Sequence, residues 1–312
     1  MKRKSKQQNS ELETVLRLPA SFKALIKFYT QDQGLEALQN IQLGEQPIFT
    51  GYGNDLLTAR YVARLCRQVG IKANAYLDKE IKNSPQELFS SSTSLVVFGL
   101  RTEVGQAEKL SHIPAFYLGA EAGDPEENQD NFLRLIRSMA LAWLMVRHNS
   151  GQWDGSENAS LQSVRQRAQL MSEGCEPYLA RCRDLLKYSP RWILLGDEDQ
   201  QEAMQFTASM LAKNANRLVP WILYDDYVEN FQQLVDPDAA LIHFRGTEDR
   251  SVDILLDQAE ERGAVVVEVT EGFFAPHRSQ KNFSQGVDAN LIPLLGCMAG
   301  NLLALSDRIM PG

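Results

Sequence analysis

Short apolar runs that end in a glycine and lead into a helical pattern occur in both halves of this chain. The run Pro47–Thr50 precedes one such glycine, and the run Trp192–Leu195 precedes the other. Three pairs of matching residues lie at nearly the same separation: Gly51 and Gly196 at 145 residues, Arg101 and Arg245 at 144, and Glu103 and Glu248 at 145. Self-similarity at a fixed period is typical of an internal duplication. The chain is therefore expected to contain two domains built on one plan.

Each half alternates strand-like runs with helix-like stretches. The predicted strands are Pro47–Thr50, Lys72–Leu77, Ser94–Phe98, Ala115–Leu118, Trp192–Leu195, Leu218–Leu223, Ala239–His243 and Ala264–Val269. Apolar residues at helical spacing predict helices over Asn131–Arg147, Ala203–Lys213, Val252–Arg262 and Leu291–Leu305. Strands that alternate with helices form parallel sheets with helices on both faces. The expected fold class is α/β, with two tandem doubly wound, flavodoxin-like domains of three αβα layers.

A polar, glycine-bearing stretch at Asn149–Asn158 separates the two halves. We expect an N-terminal tail and helical segment at residues 1–40, a first domain at 41–155 and a second domain at 156–312. The helix expected over Glu11–Phe28 is interrupted at Pro19, because proline lacks an N–H and clashes with the preceding turn. The basic residues before this helix are expected to form a frayed tail.

Composition narrows the classes of partner. The 312 residues include 32 Lys and Arg against 40 Asp and Glu, a net charge of −8, so nucleic acid is not an expected partner. The four cysteines form no CxxC pair, which is typical of reduced thiols in a cytoplasmic protein. No apolar run of about 18 residues is apparent, so no membrane span is expected. Common hydrolase, nucleotide-kinase and zinc-protease motifs are absent, and neither a cofactor nor a metal site is expected.

A family resemblance spans nearly the whole chain. The segments that carry it are Glu13–Pro19, Ile48–Gly53, Gly70–Ala73, Leu234–Ile242 and Glu261–Ala264. In order and spacing they resemble the double sugar-isomerase (SIS) family, which includes the isomerase half of glucosamine-6-phosphate synthase and related phosphosugar isomerases and deglycases. The resemblance implies a homodimer that binds a small sugar derivative. An unrelated flavodoxin-like or Rossmann-like duplication is the open alternative.

The loop after the first strand differs from the family pattern Gly-x-Gly-Ser-Ser. It reads Gly51-Tyr52-Gly53-Asn54-Asp55. Loops at this place in a doubly wound sheet bind anions through backbone amides and a helix N-terminus. Gly51, Gly53 and Asn54 are therefore candidate ligand-binding residues. The carboxylate of Asp55 would repel a phosphate, so we expect it to cap the following helix.

The family's second phosphate loop, Ser-Gln-Ser-Gly-Glu-Thr, is also altered. The chain has Gly99-Leu100-Arg101-Thr102-Glu103-Val104, in which only the glutamate matches in register. Arg101 and Thr102 are candidate ligand-binding residues, the arginine as an anion clamp or as a solvated side chain. Arg245 and Thr247 occupy the matching loop of the second half and are candidates for the same reason.

The residues that the resemblance assigns to isomerisation are not found. In the family's Glu-x-x-His-Gly-Pro stretch, Asp226 aligns with the glutamate and Glu229 with the histidine. The family's C-terminal tail lysine is not expected here. The weak catalytic candidates are Glu103, Asp226, Glu229 and His277. Asp225, Asp226 and Glu229 form either a cation site or a solvated acidic face. His277 lies in Glu271–Arg278, which is interpreted as an aromatic-lined lid.

These features predict a SIS-fold protein that binds a carbohydrate derivative, either a sugar phosphate or a related small anion, with the family's catalytic residues largely missing. Two alternatives stay open. One is an active phosphosugar isomerase or deglycase of the aldose-ketose type. The other is a non-catalytic interaction or regulatory subunit.

Overall fold

The structure, a computed structural model, describes residues 2–30, 32–83, 93–99, 115–118, 130–246, 250–270, 272–277 and 287–308. The chain divides into two compact units. The first unit is Leu18–Arg165, and the second comprises Met1–Arg17 and Gln166–Gly312. The domain boundaries expected near residues 40 and 155 stay predictions.

The first unit is built on a four-stranded parallel sheet in the order β2-β1-β3-β4. Its strands are β1 (Ile48–Gly51), β2 (Asn74–Leu77), β3 (Leu95–Phe98) and β4 (Ala115–Leu118). Every residue of β1 and β3 is buried, which is typical of strands covered on both faces. The chain passes from β1 to β2 on one side and then to β3 on the other. A switch point therefore lies at the carboxyl ends of β1 and β3.

In the described part of the chain before residue 150, the helices are α1 (Lys2–Thr30), α2 (Asp32–Gln39), α3 (Asp55–Gln68), α4 (Asp78–Asn83) and α5 (Asn131–Asn149). Asp130 caps α5, since its Oδ1 accepts hydrogen bonds from the backbone N–H groups of Phe132 and Leu133. The residues of α5 from Phe132 to Val146 are all buried, so this helix forms much of the core.

Two expectations about the N-terminal segment are wrong. Pro19 lies inside α1 and does not interrupt it. Buried Leu18 and Phe22 on either side of the proline pack the helix across that position. The polar residues before Glu11, expected to be frayed, continue α1 back to Lys2.

The second unit contains a five-stranded sheet in the order β6-β5-β7-β8-β9. Its strands are β5 (Arg191–Gly196), β6 (Trp221–Leu223), β7 (Ala239–Phe244), β8 (Val265–Thr270) and β9 (Phe273–Pro276). The first four strands are parallel and repeat the order seen in the first unit. β9 pairs antiparallel with β8, so this sheet is mixed. Within the segment interpreted as a lid, Phe273–Pro276 forms this edge strand, and Phe274 is buried. The doubly wound α/β fold class is confirmed.

The remaining helices are α6 (Glu157–Glu173), α7 (Cys175–Leu186), α8 (Gln201–Ala215), α9 (Arg250–Glu261) and α10 (Ile292–Arg308). Between β6 and β7 the chain forms short helical turns over Tyr224–Asp226, Tyr227–Phe231 and Gln232–Leu234. Helix α9 packs on one face of the sheet through a core of Val252, Leu256 and Ala259 against Leu241 and Val266.

Small residues let α10 approach α8 closely. A Cβ placed on Gly300 would lie 1.9 Å from the Thr207 Oγ1, and one on Gly296 would lie 2.7 Å from the Ala203 Cβ. Among the described residues, Ala289–Ser306 is long and apolar enough to cross a membrane, with a mean hydropathy of 1.5. A segment of this length and hydropathy was not expected from the sequence. Because 83% of it is buried in the protein, it has the character of a core helix.

Candidate functional site

The switch point of the first unit is shaped by two glycines. A Cβ on Gly51, the last residue of β1, would lie 2.5 Å from the Asp55 backbone, so α3 begins directly against the end of the strand. Gly99 follows β3 with φ +117°, and a Cβ there would lie 2.7 Å from the Asp55 Oδ2. Only glycine combines that backbone angle with so close an approach. The space that side chains at these two positions would need is occupied by Asp55, and beside Gly99 by its carboxylate.

That carboxylate belongs to a buried ion pair between Asp55 and Arg134. The Arg134 Nε donates to the Asp55 Oδ1 at 3.3 Å, and its Nη2 donates to Oδ2 at 3.1 Å. The two side chains are 1% and 6% exposed. The pair joins the first turn of α3 to α5, and its geometry is the bidentate one by which arginine binds carboxylates and phosphates.

The expectation that Asp55 caps α3 is wrong. Asn54 is the N-cap residue, and its side chain makes no capping hydrogen bond, whereas Asp55 is the first residue inside the helix. The negative side chain still lies at the positive end of the helix dipole. The carboxylate thus occupies the position where a doubly wound fold ordinarily receives an anionic ligand.

The second unit also has an aspartate carboxylate packed against a glycine at its switch point. Its switch point lies between β5 and β7, where Asp197 follows β5 and accepts a hydrogen bond from the Gln200 N–H. A Cβ on Gly246, just after β7, would lie 2.2 Å from the Asp197 Oδ2. Both switch points therefore hold an aspartate carboxylate packed against a glycine. Asp197 is partly exposed, in contrast to Asp55.

Arg245 follows β7 but its guanidinium is engaged by carboxylates of the second unit. Its Nε donates to the Glu268 Oε2 at 2.9 Å, and its Nη2 donates to the Asp253 Oδ1 at 2.6 Å. Burial opposes its charge, while these hydrogen bonds and the two negative charges raise the pKa of Arg245 above its ordinary value. Its role as a ligand-binding residue stays a prediction.

A second buried polar pair lies beside this arginine. His243 on β7 is 1% exposed, and its Nε2 is hydrogen-bonded to the hydroxyl of Tyr224. Burial lowers the pKa of His243 to about 3, with help from the positive charge of Arg245. This histidine is therefore neutral near neutral pH.

Of the three weak catalytic candidates within the described residues, His277 is the one that lies in a cluster of ionisable groups. It follows β9, is 8% exposed, and hydrogen-bonds through Nδ1 to Glu268 Oε1 and through Nε2 to Asp257 Oδ1, the latter at 2.9 Å. Glu260 lies close enough for its carboxylate to join His277 and Asp257 within 4.8 Å. Sequence reasoning missed these three carboxylates. One signal was available for Glu268, the lone charged residue in the apolar strand Val265–Thr270.

The other predicted site residues fall into three groups. Gly51, Gly53 and Asn54 lie at the first switch point, while Asp226 and Glu229 are exposed on the helical turns after β6. Arg101, Thr102, Glu103 and Thr247 lie outside the described residues. Sequence reasoning also missed Arg134, although a buried arginine within the apolar helix α5 signals a required anionic partner.

Comparison with solved structures identifies the fold. The C-terminal domain of glucosamine-fructose-6-phosphate aminotransferase from Francisella tularensis matches with a TM-score of 0.72 at 10% identity, over 96% of this chain and 95% of that chain. The fold is that of the sugar-isomerase (SIS) proteins. Tagatose-6-phosphate ketose/aldose isomerase from Escherichia coli matches the SIS fold of this chain with a TM-score of 0.72 at 16% identity, over 95% of this chain and 91% of that chain.

Glucosamine-6-phosphate deaminase from Thermotoga maritima also matches, with a TM-score of 0.63 at 13% identity, over 96% of this chain and 94% of that chain. No protein-family model matches the chain, and neither does any curated protein sequence. At these identities the similarity establishes the SIS fold and leaves function to be argued from the site.

Proposed function

We propose that this protein binds a carbohydrate derivative at the carboxyl edges of its sheets and does not catalyse aldose-ketose isomerisation. The observation that carries the proposal is the Asp55–Arg134 pair at the first switch point. A carboxylate held there repels a phosphate dianion at hydrogen-bonding distance and already neutralises the nearest buried arginine. If the ligand has a phosphate, that group does not lie at the first switch point.

The fold supports the carbohydrate part of the proposal. The similar structures are named for sugar phosphates, and all of them share this chain's architecture over most of its length. Sugar hydroxyls and amines are hydrogen-bond donors, and an aspartate carboxylate is an acceptor for them. Asp197 is the better placed of the two aspartates, because it is partly exposed at the end of β5.

The absence of isomerisation rests on the residues present. Proton transfer between adjacent carbons requires a base within hydrogen-bond reach of the substrate. Asp226 and Glu229, which align with the glutamate and histidine of the family's Glu-x-x-His-Gly-Pro stretch, are exposed on helical turns. His277, the remaining candidate in the described part of the chain, already bonds two carboxylates. The internal duplication, expected from the residue offsets, the cytoplasmic location, expected from the cysteines, and the homodimer, implied by the resemblance, are part of the same proposal. The shared strand order of the two sheets supports the duplication.

Thermal unfolding and calorimetry with a small set of ligands test the proposal. Glucosamine 6-phosphate, fructose 6-phosphate and unphosphorylated glucosamine are compared with inorganic phosphate. We expect at least one sugar to raise the melting temperature, inorganic phosphate alone to have no effect, and no sugar to be converted. Asp197→Asn should weaken sugar binding, whereas Asp184→Asn, an exposed control on α7, should not.

Two outcomes would favour the alternatives. Turnover of a sugar phosphate would establish an active isomerase or deglycase and refute the non-catalytic part. Failure of every sugar to bind would favour an interaction or regulatory subunit. The Asp55–Arg134 pair at the first switch point is consistent with that alternative too, because such a subunit needs no ligand there.

A further inference from the structure

A nitrogen and two carboxylates converge at the edge of the second sheet. One ligand atom each from Asp257, Glu260 and His277 lies within 4.8 Å of the other two. Ligands of tetrahedral zinc, bound at about 2.1 Å, are about 3.4 Å apart, so only a small contraction brings these atoms into that geometry. We propose that these three residues bind a divalent cation of the zinc class.

The local fold explains why residues distant in sequence meet here. Asp257 and Glu260 are three residues apart on α9, so their side chains share one face of the helix. The antiparallel return of β9 places His277 beside β8, where its backbone N–H donates to the Val266 carbonyl at 3.1 Å. Val266 belongs to the core between the sheet and α9, so His277 lies on the sheet face against which α9 packs.

Glu268 gives the histidine the orientation that a metal ligand requires. It is 2% exposed, and its carboxylate accepts from His277 Nδ1 while Arg245 holds it from the other side. A histidine that donates Nδ1–H to a carboxylate presents the lone pair of Nε2, and metal-bound histidines almost always have such a partner. The Nε2 of His277 lies 2.9 Å from the Asp257 Oδ1, and a cation bound between them would displace the proton of that hydrogen bond.

The charge balance of the cluster also favours a cation. Among the described residues the cluster contains two basic groups, Arg245 and His277, and four carboxylates, Asp253, Asp257, Glu260 and Glu268. Negative charges that are partly withdrawn from water repel each other strongly, and a divalent ion offsets that repulsion. His277 is buried, whereas the Asp257 side chain is 33% exposed and Glu260 is partly exposed, so an ion from solvent reaches the site.

The ligand set selects the ion. One imidazole nitrogen with two carboxylate oxygens suits zinc, whereas calcium and magnesium are held by oxygen ligands alone. Three protein ligands leave a fourth position for water.

Zinc titration of the full chain, stripped of metal with a chelator, tests the proposal by competition with a chromogenic chelator. We expect one zinc ion per chain with a Kd below about 1 µM, and visible absorption of the cobalt-substituted protein in the range typical of tetrahedral sites. His277→Gln should weaken zinc binding by at least about 100-fold. Glu268→Gln should weaken it by about 10- to 100-fold, since it removes the orienting partner.

The matched control is Asp226→Asn with Glu229→Gln, two exposed carboxylates of the same unit, which should leave zinc affinity unchanged. If His277→Gln does not fold, the partly exposed Glu260→Gln takes its place. Absence of stoichiometric zinc binding to the wild-type chain would overturn the proposal. Undiminished binding in the folded His277→Gln or Glu260→Gln variant would do the same. No sugar is used in this experiment, so its result is independent of the proposed function.

Discussion

Replacing Asp55 with asparagine removes the negative charge from the first switch point and leaves Arg134 in place. Both side chains are almost fully buried, so the guanidinium loses its carboxylate partner without gaining access to water. Removing one partner of a buried ion pair costs about 3–5 kcal/mol. For a unit of this size, that loss lowers the melting temperature by about 10 °C.

A second variant, Asp55→Ala, should also gain affinity for phosphate. The smaller side chain vacates the space beside Gly99 at the helix N-terminus, which asparagine would still fill, and Arg134 then has no carboxylate from residue 55 to bind. Inorganic phosphate, titrated at constant ionic strength, should raise the melting temperature of Asp55→Ala and leave the wild type unaffected. A ligand present at 100 times its Kd contributes about 2.7 kcal/mol, which would restore much of the lost stability.

Two further variants make this result interpretable. Asp130→Asn also removes a carboxylate from the first unit, but asparagine caps a helix as well as aspartate does, so stability should change little and phosphate should have no effect. Arg134→Gln should destabilise the unit without any response to phosphate, because the carboxylate remains. The reasoning is refuted if Asp55→Asn unfolds within about 1 kcal/mol of the wild type, or if phosphate stabilises Asp55→Ala and the wild type equally.

Three other predictions follow from the packing and the buried ionisable groups. Gly300→Ala should destabilise the protein by about 1–3 kcal/mol in denaturant unfolding, because its Cβ would meet the Thr207 Oγ1, and Thr207→Ala should relieve part of that loss. His243 has a lowered pKa of about 3, so below pH 6.5 the unfolded chain binds a proton that the folded chain does not. As the pH is lowered from 6 to 4, the free energy of unfolding should decrease by about 1.4 kcal/mol per pH unit, and His243→Leu should reduce that slope. Burial raises the pKa of Cys66 to about 12 and that of Cys175 to about 11, so a thiol reagent should modify these cysteines only as fast as the protein unfolds.

Most element positions followed from local pattern, whereas no strand order was predicted. The predicted strand Ala115–Leu118 agrees with β4, and the other strand predictions overlap their observed strands, because apolar runs bounded by turns depend on neighbouring residues alone. Helix α6 was not predicted, since polar residues outnumber apolar ones in it, and helix α7 was not predicted although most of its residues are apolar. β9 was missed because aromatic residues next to a glycine suit an edge strand and a loop equally well.

The site residues were harder to predict, because they depend on pairs that are distant in sequence. Asp55 and Arg134 are 79 residues apart, and His277 meets Asp257 across 20 residues. Sequence reasoning recognised that Asp55 is unfavourable for phosphate, yet it could not find the arginine that makes the buried carboxylate stable. Local capping was the nearest explanation available, and the structure replaced it with a tertiary ion pair.

The two switch points together suggest why glycines can persist in a phosphate-type loop that lacks its hydroxyl residues. Gly99 and Gly246 each follow the third strand of their unit, where a side chain would collide with an aspartate from the loop after the first strand. In one unit that aspartate is the first residue of a helix, and in the other it is a cap, so two different local structures bring a carboxylate to the same place. The glycine makes room for an anion in both units, and the chain itself supplies the anion. A glycine after the third strand is therefore insufficient evidence for a phosphate site unless the preceding loop is also free of carboxylates.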